Sequence, residues 1–264
     1  MARLALTSCS NPTLPWASKK LPALVTALHG AGHTLDTAAV HALAASSAAT
    51  PSRWDPRARA RMLMDAFTDP RVDAILDISG GDLANEVLPF LDHSAIAAHP
   101  KLMVGYSDES CVLGVLPFAS LLWNPLVGLT EGFGQLDRAL AGEMIRPAVA
   151  PDIPALTEVP WAGGNIRCFL KLAGTPWWPN LAGRALLIEG QGPSLTSVAA
   201  LLAHHAGLGS FQNVAGVVVG QFTKMDAAGE RPFLLELVAE YACGPVVEAQ
   251  SIGHSPTSEA VTLG

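Results

Sequence analysis

The sequence predicts an α/β protein, with an N-terminal, mostly parallel sheet covered by helices on both faces and a smaller C-terminal α/β domain. Three observations predict it. Short apolar runs alternate with stretches at helical spacing, as parallel strands linked by crossover helices require. Of the 264 residues, 50% are apolar and 15% charged, enough for a sizeable core and unlike a disordered or fibrous chain. Composition changes after Gly142, where Pro147, Pro151, Pro154 and Pro160 punctuate a stretch of little periodicity. The chain is therefore divided into residues 1–142, a linker over 143–162, and residues 163–264. A net charge of −7, with a pI of about 5.5, argues against a nucleic-acid polymer or an anionic membrane as partner.

In the first part, residues 3–8 read as a strand and 19–29 as a helix. A helix over 55–67 opens with Asp55 as N-cap and Pro56 at its first position. Its arginines, Arg53, Arg57, Arg59 and Arg61, read as a solvated face rather than an anion site. A strand over 72–78, the turn Ser79-Gly80-Gly81, a helix over 82–91, a strand over 101–105 and a helix over 109–122 follow. Residues 110–130 carry no charge and are long enough to span a bilayer, but Gly114, Pro117, Asn124, Pro125 and Gly128 make them a buried core helix and a loop. In the second part, helices are expected at 165–173, 196–205 and 232–241, and strands at 185–188, 214–220 and 245–249. Residues 1–14 lack an apolar h-region and have Arg3 as their one basic residue, so no signal peptide is expected. Cys9, Cys111, Cys168 and Cys243 form no CxxC pair and read as small core residues in a reducing compartment.

Ligands of such sheets bind beyond the carboxyl ends of the strands. Two turns fall there, Ser79-Gly80-Gly81 and Gly105-Tyr106-Ser107-Asp108. A serine on a sharp strand-to-helix turn exposes its hydroxyl next to backbone N–H groups that suit an oxyanion. Ser107 fits that role, but Glu109 stands where the α/β-hydrolase elbow has glycine, and an ordinary N-cap fits the local sequence equally. Gly80-Gly81 is either a plain turn or the source of a second N–H. Among the histidines, His29 and His33 flank Gly30 and Gly32, which argues against a shared zinc-binding face. His204 and His205 end a helix and suit its dipole. His254 lies in a polar loop just past an apolar strand. Glu189 ends an apolar strand, where a carboxylate calls for a partner.

In order and spacing, the chain resembles the LD-carboxypeptidase family of serine peptidases, the group of muramoyl-tetrapeptide carboxypeptidases and microcin C immunity peptidases. The resemblance runs through residues 59–70, with Met64 and Asp65, and through Gly80-Gly81 followed by LPFLD at 88–92. It continues through KLMVGYSD at 101–108, Gly163-Gly164-Asn165, Gly174-Thr175-Pro176, residues 185–189, VAGVVVGQF at 214–222 and residues 245–254. It implies Ser107 as nucleophile, Glu189 as the carboxylate and His254 as base. It implies the backbone N–H groups of Gly81 and Asp108 as oxyanion donors, with Gly80 and Asp82 beside the substrate. It also implies a two-domain fold with Ser107 on the first domain and Glu189 and His254 on the second. A cytoplasmic homodimer with no metal and no organic cofactor is implied as well, acting on a small peptide or a peptidyl-nucleotide.

The chain departs from the family pattern at several places. The segment between Gly142 and Gly163 is short, and the chain ends ten residues after His254, where family members usually add another strand. Ser79 stands where recycling carboxypeptidases commonly have arginine, Asp82-Leu83 replaces Tyr-Gly, and Glu109 replaces an uncharged residue. Ser79 and a negative Glu109 are expected to weaken binding of a small anionic leaving group. The Gly80-Gly81-Asp82-x-x-Asn85 pattern looks closer to the immunity type, whereas the short middle segment removes space for groups that stack on a nucleobase. The first reading is hydrolysis of the L,D-bond to the terminal D-Ala of a murein tetrapeptide, in peptidoglycan recycling. The alternatives are an immunity-type peptidase cleaving peptidyl- or aminoacyl-nucleotide amides, and an inactive ligand-binding member.

Overall fold

The structure, a computed structural model, describes residues 1–12, 19–47 and 53–264; Leu14, in the N-terminal segment considered above, lies outside them. The described residues form two sheets. The first holds β1 (Arg3–Thr7), β2 (Thr34–Asp36), β3 (Ala74–Asp77), β4 (Leu102–Gly105), β5 (Ser120–Leu122) and β10 (Val261–Leu263), in the order β10-β5-β4-β3-β1-β2. All its pairings are parallel except β10 against β5. The second holds β6 (Trp161–Asn165), β7 (Ala185–Gly190), β8 (Gly216–Phe222) and β9 (Val246–Glu248), parallel and in that order.

Period-two alternation decides which face each residue covers. On the first sheet Leu4, Leu6, Ala74, Leu76, Val104 and Leu121 enter one apolar cluster, with the helix Leu21–Gly30. Ile75, Met103 and Leu122 enter the other, which continues without a break into Trp161, Leu186 and Val218 of the second sheet. The two sheets thus share a core. β7 and the first five residues of β8 are buried throughout, the near-continuous apolar reading of parallel strands covered on both faces.

Helix Pro56–Thr68 forms as its cap predicts, with the Asp55 side chain accepting from the Arg57 amide at 3.0 Å. Several other expectations are corrected. Residues 82–91 hold the 3₁₀ helix Ala84–Phe90, whose Pro89 has no N–H to give an α-helical ladder. Residues 109–122 are not one helix. A single turn, Ser110–Leu113, ends at Gly114, and after Pro117 the apolar run becomes β5, because a buried central strand and a buried helix look alike in sequence. Residues 165–173 split into Ile166–Phe169 and the 3₁₀ turn Leu170–Leu172. Strands β2 and β6, the helix Ala38–Ser46 and the strand after His254, β10, were not expected and are present. The proline-punctuated stretch is tied down. Ala150 bridges to Glu248, Pro154–Thr157 forms a helical turn, and the Ile145 amide donates to Thr262 Oγ1 at 2.8 Å. No described helix is long and apolar enough to cross a membrane. Cys9, Cys111 and Cys168 are buried and free, but Cys243 is exposed.

Arg59 overturns the solvated-face expectation. It is fully buried, and its guanidinium donates to the carbonyls of Cys9, Ser10, Trp54 and Leu83 and pairs with Glu86. One side chain therefore gathers the loop after β1 and the turn after β3. Arg59→Met is expected to lower unfolding free energy by about 3–5 kcal/mol, since it strands those acceptors. Urea denaturation checks this, and a loss below about 1 kcal/mol would show that the carbonyls find other partners.

Candidate active site

Strand order fixes where the site lies. β3 and β2 flank β1 on opposite sides, so the order reverses there, and the loops after β1, β3 and β4 meet at one end of the sheet. Buried Asp77 ends β3 and accepts from Thr7 Oγ1 (2.9 Å), the Cys9 amide (2.8 Å), the Ser79 amide (2.8 Å) and Ser79 Oγ (2.5 Å). These bonds lock the loop after β1 to the Gly80-Gly81 turn. Gly81 has φ +126°, and a Cβ there would fall 2.4 Å from the Asn11 side chain, so glycine is required on both counts. Gly80 sits in the same turn beside Tyr106.

Ser107 directly follows the β4 turn with φ +55°, the one non-glycine residue among those described with positive φ. Such a conformation costs about 1–3 kcal/mol and persists where surroundings impose it. It is the backbone of an elbow that raises a side chain above a sheet. The next residue supplies the restraint. Fully buried Asp108 accepts from Ser10 Oγ (2.5 Å) and the Ala84 amide (2.8 Å) and pairs with Lys171 from the second sheet's side. Arg167 and Lys171 reach across to the glycine turn as well. Arg167 donates to the Gly81 carbonyl at 3.0 Å and pairs with Asp82, and Lys171 donates to the Asp82 carbonyl at 2.8 Å.

Glu189 and His254 meet on the opposite wall. His254 Nδ1 lies 2.8 Å from Glu189 Oε2, and both side chains are buried. His254 Nε2 has no hydrogen-bond partner among the described residues. Burial acts to lower the imidazole pKa, but the Glu189 contact outweighs it and the net shift is upward. The His254 loop is pinned by Gln221 at the end of β8, whose amide N–H donates to the Ile252 carbonyl (2.7 Å), while its side chain donates to the Gln250 carbonyl (2.7 Å) and accepts from the Ser255 amide (3.0 Å). Gly220 permits this approach, since a Cβ there would lie 2.8 Å from the Ile252 carbonyl oxygen and 2.9 Å from Glu189 Cβ. Ser107 lines a narrow crevice together with Tyr106, Glu189 and His254. On its other side Ser107 opens to a cleft of about 600 Å³ bounded by Asn165, Ile166, Arg167, Gln191 and Leu201.

The structure thus brings Ser107, Glu189 and His254 to one crevice and sets the Gly80-Gly81 turn and Asp108 around it. Asp82 faces Arg167 at the surface. Gln221, Arg167 and Lys171 escaped the sequence reading, and Arg59 was read there as part of a solvated face. Gln221 carried the same signal as Glu189, a polar residue ending an apolar strand.

Two further expectations are corrected. Glu109 does not line the crevice with Ser107. It is fully buried, its Oε1 is 3.1 Å from Ser79 Oγ, and burial followed by the charges of Asp77 and Asp108 pushes its carboxyl well above the usual range. Cys9, Asp77 and Glu109 lie within 4.8 Å of one another, and burial pushes the Cys9 thiol and the Glu109 carboxyl up, against the deprotonated forms that metal ligation needs. His205 is no dipole partner either. It is buried among Phe169, Trp178 and Phe211, and burial followed by the neighbouring His204 lowers its pKa to about 4, leaving it neutral.

Residues 4–119 match the LD-carboxypeptidase N-terminal domain and residues 158–264 the LD-carboxypeptidase C-terminal domain. The chain therefore belongs to the LD-carboxypeptidase family, which supports a peptidase of carboxypeptidase type. It is 26% identical over 254 residues to the microcin C7 self-immunity protein MccF of Escherichia coli, covering 78% of this chain and 73% of that one. It is 40% identical over 244 residues to YocD of Bacillus subtilis, covering 78% and 75%. The fold matches a muramoyltetrapeptide carboxypeptidase from Oxalobacter formigenes with a TM-score of 0.80 at 20% identity, over 99% of this chain and 92% of that one.

Glu109 gives a test of the buried network. A folded-state pKa raised above the unfolded value means the native state keeps a proton that the unfolded chain has lost, so stability falls as pH rises between the two values. Glu109→Gln imitates the protonated acid and removes that contribution. The variant's unfolding free energy is expected to fall less steeply with pH, by at most about 1.4 kcal/mol per pH unit. Parallel wild-type and variant curves across the neutral range would mean that Glu109 is ionised in the fold.

Proposed function

We propose that the protein is a serine carboxypeptidase that hydrolyses a C-terminal amide bond, with the L,D-bond to the terminal D-Ala of a murein tetrapeptide as its substrate. The observation that carries this reading is Ser107, held at φ +55° on the turn after β4 and opening to the crevice that holds the Glu189–His254 pair. His254 Nε2 takes the Ser107 proton as Oγ attacks the scissile carbonyl. Glu189 fixes the imidazole tautomer through Nδ1 and stabilises the imidazolium. The Gly81 and Asp108 amides hold the tetrahedral oxyanion. His254 returns the proton to the leaving amine, D-Ala departs, and water releases the acyl group by the same steps.

The competing reading comes from MccF, whose structures include one in complex with aspartyl sulfamoyl adenosine. The cleft supports the peptide reading better. None of the side chains described as lining it is aromatic, so it offers no ring on which a nucleobase would stack. The sequence argument from Glu109 against an anionic leaving group also weakens, because Glu109 is buried and its carboxyl is pushed well above the usual range. In this reading the protein works as a cytoplasmic homodimer without metal or organic cofactor.

Ser107→Ala is expected to abolish release of D-Ala from the tetrapeptide while leaving folding and ligand binding intact. Retention of more than a few per cent of wild-type turnover would remove Ser107 from the mechanism.

The base must be neutral to act, so kcat/KM is expected to rise with pH through an apparent pKa above the ordinary imidazole value of about 6.5. Glu189→Gln is expected to move that limb toward lower pH and to cost about 10²–10⁴ in kcat. An unmoved limb in the variant would exclude Glu189 as the partner of the base.

A further inference from the structure

The larger cleft has a single formally charged side chain among its described lining residues, Arg167. Ile166 and Leu201 give it an apolar wall, and Asn165 and Gln191 give it neutral polar groups. Arg167 comes from the short helix Ile166–Phe169 after β6 and reaches across to the glycine turn of the first sheet.

Two of its five N–H donors are engaged, Nη1 with the Asp82 carboxylate and Nη2 with the Gly81 carbonyl at 3.0 Å. The pair with Asp82 is open to water, with 52% of the Arg167 side chain and 62% of the Asp82 side chain exposed. Such a pair contributes little and yields to an anion that is better desolvated. Lys171, the neighbouring cation, is not free to do this. Its side chain is 16% exposed and committed to the buried Asp108 carboxylate, which cannot be left unpaired. The Gly81 contact also ties the guanidinium to the peptide turn beside Ser107. Ser107 and Arg167 line the same cleft, so an anion on Arg167 and a carbonyl at Ser107 share it.

We propose that Arg167 recognises the free C-terminal carboxylate of the residue that is released, displacing Asp82 from the guanidinium. The proposal rests on the carboxypeptidase reading and names its specificity-determining residue. The cation that Ser79 does not provide thus comes from the second sheet's side. The fork geometry of arginine suits a carboxylate, with charge-assisted donors left to spare. The sulfamate of a nucleotide adduct also accepts such donors, so the experiment includes both ligands.

The experiment is calorimetric titration of the full chain carrying Ser107→Ala, so that binding is read without turnover. The ligands are the murein tetrapeptide, the same peptide with a C-terminal carboxamide, and aspartyl sulfamoyl adenosine. The free acid is expected to bind about 10- to 100-fold more tightly than the carboxamide. Adding Arg167→Gln is expected to erase that ratio, Arg167→Lys to keep part of it, and Asp82→Asn to strengthen the acid alone. A ratio near one before Arg167 is changed, a ratio that survives Arg167→Gln, or no binding of either peptide overturns the proposal. So does an equal loss for acid and carboxamide in Arg167→Gln, which would mean that Arg167 only braces the Gly81 turn. Tighter, Arg167-dependent binding of aspartyl sulfamoyl adenosine than of the free acid overturns the carboxylate assignment in favour of a nucleotide adduct. Failure of the carboxypeptidase reading shows separately, as wild-type hydrolysis that Ser107→Ala does not diminish.

Discussion

The carboxylate of Asp108 is buried completely, and the donors that compensate it come from three separate segments: Ser10 after β1, Ala84 after β3 and Lys171 from the second sheet's side. A buried charge left without partners costs several kcal/mol, so none of the three segments can withdraw without that penalty. The residue before Asp108 is the one forced into a left-handed backbone. A strain of about 1–3 kcal/mol at Ser107 is therefore held by an electrostatic restraint one peptide bond away. The same interaction joins the two sheets at the site, because Lys171 spans from one to the other. The shared apolar cluster keeps the sheets together, and the Asp108–Lys171 pair joins the Asn165 amide on Ser110 Oγ and the Arg167 contact with Gly81 in fixing how they meet.

A second layer lies beneath. Asp77 gathers Thr7, Cys9 and Ser79, and Arg59 gathers the carbonyls of Cys9, Ser10 and Leu83. One buried anion and one buried cation thus hold the same loops through their amides and their carbonyls respectively. Burial first, and then the neighbouring carboxylates of Asp77 and Asp108, push the Glu109 carboxyl well above its usual range. The departures at Ser79 and Glu109 face each other at 3.1 Å and belong to this interior, away from the substrate cleft.

The parts of the fold legible in the sequence were those written locally. Apolar runs such as Ala185–Gly190 and the Asp55-Pro56 start of a helix carry their own signal. β6 reads WAGGN, with two glycines, and is a strand because its backbone packs closely in the interface between the sheets. β10 exists through pairing with β5, about 140 residues earlier, and nothing local announces it. The site divides the same way. Ser107, Glu189 and His254 stood out because each follows or ends a strand-like run. Arg59, Lys171, Arg167 and Gln221 act on segments distant in sequence, so their partners became visible only once the chain was folded. Glu109 was misread because a sequence displays a glutamate as charged, and burial decides otherwise.

β10 has a consequence for biosynthesis. The loop bearing His254 leaves the second sheet at β9 and returns through Ser258, whose carbonyl accepts from Trp123, to pair β10 with β5 of the first sheet. A ribosome makes this crossing after β1 to β9, at roughly 5–20 residues per second. A growing chain that already carries Ser107 therefore lacks the histidine proposed to activate it until translation reaches these residues. In the proposed reading, connectivity alone delays assembly of the chemistry.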